Sequence, residues 1–396
     1  AVAAGMAFHA AAIFYARRED VKDRLHSENA FYYSFYQQVI SARSWRQGLE
    51  ALWVDTLSEA PEEINALRRF NIYQELLFGL LWRCLAGLSP VPLEPAVFYC
   101  ACVFVVYGFG VFCMELAATQ NLWSLLLAGA LYHNNLQEAS HVSFMPPLRE
   151  NIGVPLWFAS CASLQLLHCK RHDSAWTPRV LLVLSCTGFL LVWQFACFAL
   201  AMQACALYAL ALLRIAAWGF VVDVSRLYVA SALLSSALRF GDLWAMRSIF
   251  FWLSFSVAVT KRSCQSITDA LRIGASVVVA FLAIRQSTLL LVSLSGASLD
   301  DDTHIFEFLA FRLGLRKQAL GYHAALYEGQ RSFSPPSASD LAQLWETALL
   351  PSALLAAVVV LVTLSSVKGA ERQQLFPPAL LLMLAGATAV PFALML

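Results

Sequence analysis

Long apolar runs, set apart by two polar stretches, organise the chain. The first polar stretch, residues 17–75, mixes acids and bases, yet aromatic and aliphatic residues recur in it at helical spacing. Tyr32, Phe35, Tyr36 and Val39 fall at i, i+3, i+4 and i+7 and so share one helical face. Trp45, Leu49, Leu52, Trp53 and Leu57 continue the pattern, and Pro61 is placed at the start of a further helix carrying Ile64, Leu67, Arg68 and Phe70. This predicts a layer of amphipathic helices on a membrane surface. Apolar runs then follow in series through residues 76–294, and several exceed the roughly 18 residues that suggest a bilayer span. A second polar stretch occupies 295–346, and apolar sequence returns over 347–396. Residues 1–16 are read as the remnant of a first span. Because the runs are continuous rather than alternating, they argue for helices and against a barrel. The expected fold is all-α, a polytopic transmembrane helical bundle of about 10–12 spans, counted at roughly 20 residues each.

Composition sharpens this picture. The chain is 59% hydrophobic and 13% charged, where a soluble protein has about 25% charged residues. A net charge of +1 gives no case for a nucleic-acid partner. The ten cysteines are scattered through apolar runs without a CxxC, so neither a metal site nor a disulfide framework is expected. Walker, HExxH and GxSxG motifs are absent, and no cofactor is implied. Basic clusters at His168–His172, Lys261-Arg262 and Lys368–Arg372 are assigned to cytosolic loops.

Two stretches could carry chemistry. In the first, Ser27 is a candidate N-cap that places Glu28 in the first turn of the aromatic helix, where the helix dipole keeps a carboxylate ionised. Such a group serves as a base or ion-pair partner, or only complements the dipole. The second runs from His133 to Glu150 and packs polar groups between apolar runs. Pro146-Pro147 breaks the helix there, and Arg149 offers the planar fork suited to a phosphate, with His141 as a further donor. The alternative is an ordinary interfacial loop with Arg149 and Glu150 paired or solvated. Glu115 is expected to reach the interface, and Gln194, inside an apolar run, to hydrogen-bond a neighbouring helix or touch a ligand. Asp300–Asp302 is read as a solvated turn rather than a metal site.

Taken together, these stretches resemble the Dpy-19 family, the protein tryptophan C-mannosyltransferases of the endoplasmic reticulum membrane. Glu28–Tyr36 resembles the family's Glu-Met-Gly-Leu-Tyr-Tyr-Ser-Tyr segment, and Ser58–Pro61 with Ile64–Tyr73 resembles the rest of its first lumenal loop. Glu138-Ala139-Ser140-His141-Val142 and Pro146-Pro147-Leu148-Arg149-Glu150 are similar to Glu-Ala-Thr-Arg-Val and Pro-Pro-Leu-Arg-Glu. Trp193-Gln194-Phe195-Ala196 is similar to a motif within a transmembrane helix, and Asp302-Thr303-His304-Ile305 to a later lumenal motif. The match covers about residues 20 to 310 in the family's order.

The resemblance implies a GT-C type glycosyltransferase, multi-pass in the endoplasmic reticulum membrane. Residues 17–75 and 295–346 would be lumenal loops, with membrane spans over 76–294 and 347–396. The donor would be dolichol-phosphate mannose. The acceptor would be a Trp-x-x-Trp tryptophan of a nascent secretory or membrane polypeptide, with membrane lipids around the spans. Glu28 matches the family's catalytic carboxylate, and Arg149 and His141 become the candidates for the donor phosphate. Tyr32, Tyr33, Glu138, Gln194 and His304 become candidate substrate-binding residues. This sequence departs from the family where His141 replaces an Arg and Leu136-Gln137 a His-Gly pair. The alternatives are another dolichol-phosphate-sugar-dependent glycosyltransferase, or a non-catalytic polytopic membrane protein or transporter.

Overall fold

The computed structural model describes residues 28–87, 94–118, 122–134, 142, 146–169, 176–260, 267–294, 337–366, 376 and 378–380. These residues fall into two compact units, one drawn from 1–197 and 230–245, the other from 198–229 and 246–396. Helices dominate, and the described residues contain no strand beyond an isolated bridge between Asp55 and Ile64.

The first unit opens on the predicted aromatic helix, α1 (Glu28–Ser41). Its expected face is buried: Phe35, Tyr36 and Val39 are fully enclosed. Phe35 and Val39 pack with Leu52, Ala66, Leu67 and Ile72, whereas Tyr36 turns to the larger core led by Tyr99 and Val103. The amphipathic α2 (Trp45–Trp53) follows, capped by the Ser44 side chain accepting from the Gln47 amide, with Leu52 buried and Arg46 and Glu50 outward. Pro61 does not start a helix. It lies in a turn, and the helical residues are a single turn, α3 (Ala66–Arg69), capped by Asn65. The expectation failed because Asn65 can accept from the Arg68 amide, which supplies the helix start that Pro61 was credited with.

Helix α4 (Tyr73–Ala86) occupies the short apolar run after residue 75 and packs along α1. A Cβ on its Gly79 would come within 2.6 Å of Val39, so only glycine allows this approach. Near the end of α4, Arg83 donates to the carbonyls of Val39 (2.9 Å) and Ala42 (2.7 Å). Those carbonyls lie at the end of α1, where backbone acceptors lack helical partners.

The apolar helices α5 (Pro95–Ala118), α6 (Leu122–Asn134), α7 (Glu150–Cys169) and α8 (Trp176–Val192) complete most of this unit, with α5 against α7 and α7 against α8. Pro155, inside α7, meets α5 at Gly110, where a Cβ would come within 2.5 Å of the proline. Glu115 does not reach a polar surface. It is buried in α5, with its carboxylate beside Gly129 of α6, where the missing side chain leaves room. The unit also holds the end of α10 (Trp218–Leu238) and the loop after it. There Arg239 is buried, and each of its nitrogens is used. Nε donates to Asp242 (3.0 Å), Nη1 to Asn71 Oδ1 (2.5 Å) and Nη2 to the Arg68 carbonyl (2.9 Å).

The second unit contains α9 (Ala196–Leu212) beyond its first two residues, the start of α10, α11 (Ile249–Val259), α12 (Ile267–Leu294), α13 (Ala338–Glu346) and α14 (Leu349–Ser366). Tyr228 donates to Gln203 at 2.6 Å in its interior, and Trp252 of α11 packs on Phe281 of α12.

Among the described residues, four helices are long and apolar enough to cross a membrane: Pro95–Ala117, Glu150–Cys169, Trp218–Leu238 and Leu271–Leu291. Trp176–Val192, Ala196–Leu212, Ile249–Val259 and Leu349–Thr363 are shorter apolar helices. The protein is an all-α polytopic membrane protein. The apolar run after residue 376 lies mostly outside the described residues.

Candidate functional site

Arg149 stands at the head of α7, where its carbonyl accepts from Gly153 (2.8 Å). The Pro146-Pro147 turn before it is held by Asn151, whose amide donates to the Pro146 carbonyl (3.1 Å). The side chain does not enter solvent or pair with Glu150. It is 4% exposed and ion-paired with Glu75, itself fully buried, on the first turn of α4. Nη1 reaches both carboxylate oxygens, at 3.0 and 2.9 Å.

Glu75 is itself held from two other directions. Tyr99, in the first turns of α5, donates its hydroxyl to Oε1 at 2.7 Å. Gln74 donates its amide to the same oxygen at 2.9 Å. The ring of Tyr32, from α1, covers the guanidinium, with Arg149 Cζ 3.2 Å from its centroid. Burial pulls the Arg149 pKa down, but the charge of Glu75 outweighs it, so the group sits above an ordinary arginine and stays charged. Its Nε and Nη2 have no partner among the described residues, although both are buried. A buried cation with one whole donor edge unused can take an oxyanion in two parallel hydrogen bonds.

Tyr33 packs its ring edge-on against Tyr99 at 5.5 Å between centroids. Burial, opposed by a hydrogen bond with Gln37, pushes its hydroxyl up to about 12, so it remains a proton donor at neutral pH. Asn29 is buried near the start of α1, one turn before Tyr32 and Tyr33, and its amide oxygen has no partner among the described residues. Glu28 is the first residue of α1, at the register position one turn before Tyr32.

The structure therefore brings together Arg149, Tyr32 and Tyr33, with Glu28 on the helix that supplies both tyrosines. It does not bring Gln194 into a helix. The expected span is broken there: α8 ends at Val192, α9 starts at Ala196, and Gln194 is exposed in the turn between them. Trp193 packs its ring tilted against Phe189 and edge-on against Phe195 at this break. His141, Glu138 and His304 lie outside the described residues, as does Ser27.

Sequence reasoning missed Glu75, Gln74 and Tyr99. Glu75 was one more acid at the edge of a mixed polar stretch, and Tyr99 one aromatic in an apolar run. A usable signal was present in each, since both open an apolar helix, where a polar group must find a partner or reach water.

The described residues thus form an all-α membrane protein in which an arginine lies buried beneath an aromatic helix. The chain belongs to the Dpy19 family, described as Q-cell neuroblast polarisation, whose profile matches residues 9–375. It is 26% identical over 363 residues to the protein named C-mannosyltransferase dpy-19 from Caenorhabditis elegans, covering 84% of this chain and 52% of that one. Over 367 residues it is 24% identical to its namesake from Caenorhabditis briggsae, covering 83% and 52%. It is also 24% identical over 374 residues to the probable C-mannosyltransferase DPY19L4 from Mus musculus, covering 91% and 51%. The chain spans about half the length of these relatives.

Proposed function

We propose that this protein is a C-mannosyltransferase of the endoplasmic reticulum membrane that moves mannose from dolichol-phosphate mannose to C2 of a tryptophan indole in Trp-x-x-Trp segments of secretory polypeptides. The observation that carries the reading is the Nε–Nη2 edge of Arg149, which has no partner among the described residues and is buried beneath the helix on which Glu28 stands. The names of the relatives support the reaction class.

In this reading Arg149 holds the phosphate of the lipid-linked sugar. Indole C2 attacks the anomeric carbon, a carbon–carbon bond forms, and the bond from that carbon to the phosphate oxygen breaks with its electron pair. The departing phosphate gains negative charge, which the fixed guanidinium stabilises most at that moment. The indole is left positively charged until its C2 proton is lost, and Glu28 is the base that takes it. His141 is a second phosphate donor, while Tyr32, Tyr33, Glu138, Gln194 and His304 remain candidates for substrate binding.

The test uses the full chain purified in detergent with dolichol-phosphate mannose and a Trp-x-x-Trp peptide. Mass spectrometry should find one added hexose resistant to O- and N-glycan release. Glu28→Gln should fold and transfer nothing, because it keeps the shape and removes the base. Hexose on another residue type would redirect the reading to a different dolichol-phosphate-sugar transferase. No transfer by folded wild-type protein from any lipid-linked sugar would overturn catalysis.

A further inference from the structure

The reading of Arg149 as the phosphate holder leaves one buried group without a task, and the following rests on that reading. We infer that Glu75 is a positioning residue, which locks the Arg149 guanidinium so that a single edge, Nε with Nη2, faces the donor phosphate. A guanidinium has three donor-bearing nitrogens in one plane and can rotate about its stem. Here Nη1 is consumed by both oxygens of Glu75, at 3.0 and 2.9 Å. One face of the plane is covered by the Tyr32 ring, 3.2 Å from Cζ to centroid. What the described residues leave without a partner is the edge whose two parallel N–H bonds match two oxygens of a phosphate.

The carboxylate is fixed in its turn. Tyr99 donates to it at 2.7 Å and Gln74 at 2.9 Å, and Gln74 also reaches the Tyr99 hydroxyl at 3.4 Å. A carboxylate kept only as a counter-ion would not need a second helix and a neighbouring amide to set its orientation. Hydrogen bonds from α4 and α5 and the ring from α1 thus settle the aim of the guanidinium before a ligand arrives. Affinity lost to ordering a long, rotamer-rich side chain is thereby avoided.

The sign of one substitution separates this from a purely electrostatic role. Glu75 is negative, so if it acted only through charge it would oppose an arriving anion, and removing the charge would tighten donor binding. If it aims the guanidinium, removing it weakens donor binding.

The experiment measures donor KM and peptide KM for the full-chain wild type, Glu75→Gln, Arg149→Met and the double variant, each checked for a monodisperse folded population. Glu75→Gln should raise the KM for dolichol-phosphate mannose roughly tenfold, the size expected from losing one charge-assisted hydrogen bond to a phosphate. Its peptide KM should stay at the wild-type value. In the Arg149→Met background, Glu75→Gln should add nothing to donor KM, since nothing is left to aim. A folded Glu75→Gln with unchanged or lowered donor KM overturns the positioning role while leaving Arg149 as phosphate holder. A folded Arg149→Met with wild-type donor KM overturns the parent reading instead. Should Glu75→Gln fail to fold, Tyr99→Phe removes one of the bonds that fix the carboxylate. It should raise donor KM roughly threefold with peptide KM unchanged, a fraction of the same effect; no change there overturns the inference.

Discussion

Two buried arginines grip neighbouring parts of the same short stretch of chain and do opposite things. Arg239 takes hold of Arg68, Asn71 and Asp242, and each of its nitrogens donates to an oxygen. Arg149 takes hold of Glu75 through one nitrogen, and the other two have no partner among the described residues. Both are nearly inaccessible, at 6% and 4% exposure, so burial does not distinguish them. Satisfaction does. A full fork is a clamp, and it ties the end of α10 to the layer of short helices, aided by the Tyr73 hydroxyl donating to the Leu238 carbonyl. A half-used fork in the same layer is, in the proposed function, a receptor, because a buried donor without an acceptor is costly unless a ligand completes it.

The largest effect expected of this contrast is on stability. Arg239→Met removes all of the clamp's side-chain bonds and should cost about 3–5 kcal/mol, the range for breaking a buried ionic contact from one side. Thermal denaturation should show the loss, while transfer per folded molecule stays near the wild-type rate. Ligand linkage comes next. Dolichyl phosphate at about 100 times its Kd should stabilise the wild type and Arg239→Met by about 2.7 kcal/mol. Arg149→Met should show no such shift; equal shifts in all three would break the contrast.

Overpacking at Gly110 should act on one arginine alone. A methyl placed there meets Pro155 and pushes α5, which bears Tyr99, away from α7, which Arg149 immediately precedes. Gly110→Ala should lose about 1–3 kcal/mol of stability and raise donor KM as well. The smallest effect belongs to Tyr32→Leu, which uncovers the Arg149 face. It should weaken donor binding by about 0.5–2 kcal/mol, measured as donor KM, with peptide affinity reported separately to expose any contact to the acceptor.

Local pattern carried some of this architecture into the sequence, and distance erased the rest. The buried face of α1 was legible because Phe35, Tyr36 and Val39 repeat at the helical period. The break at Trp193–Phe195 was not, since hydropathy registers an apolar run whether or not its backbone is continuous. Arg149 was conspicuous in a dense polar cluster beside an apolar run, but its state was not. The acid that holds it lies on α4 and the hydroxyl that orients the acid on α5, and no periodicity links those positions. Pro61 misled because proline suits a first helical turn generally, whereas here Asn65 provides the cap.

Helix α4 has a further consequence. Its first turn carries the acid that holds Arg149, and near its other end Arg83 fastens the last carbonyls of α1, the helix of Glu28. One rigid rod thus gauges the interval between the two halves of the proposed chemistry. Its increments are about 1.5 Å and 100° per residue, the rise and turn of an α-helix. A substitution on its surface leaves that setting alone, whereas one residue added between Glu75 and Arg83 resets both length and phase. The tolerance of the proposed reaction centre is in this way written into the residue count of a short helix outside the four long spans.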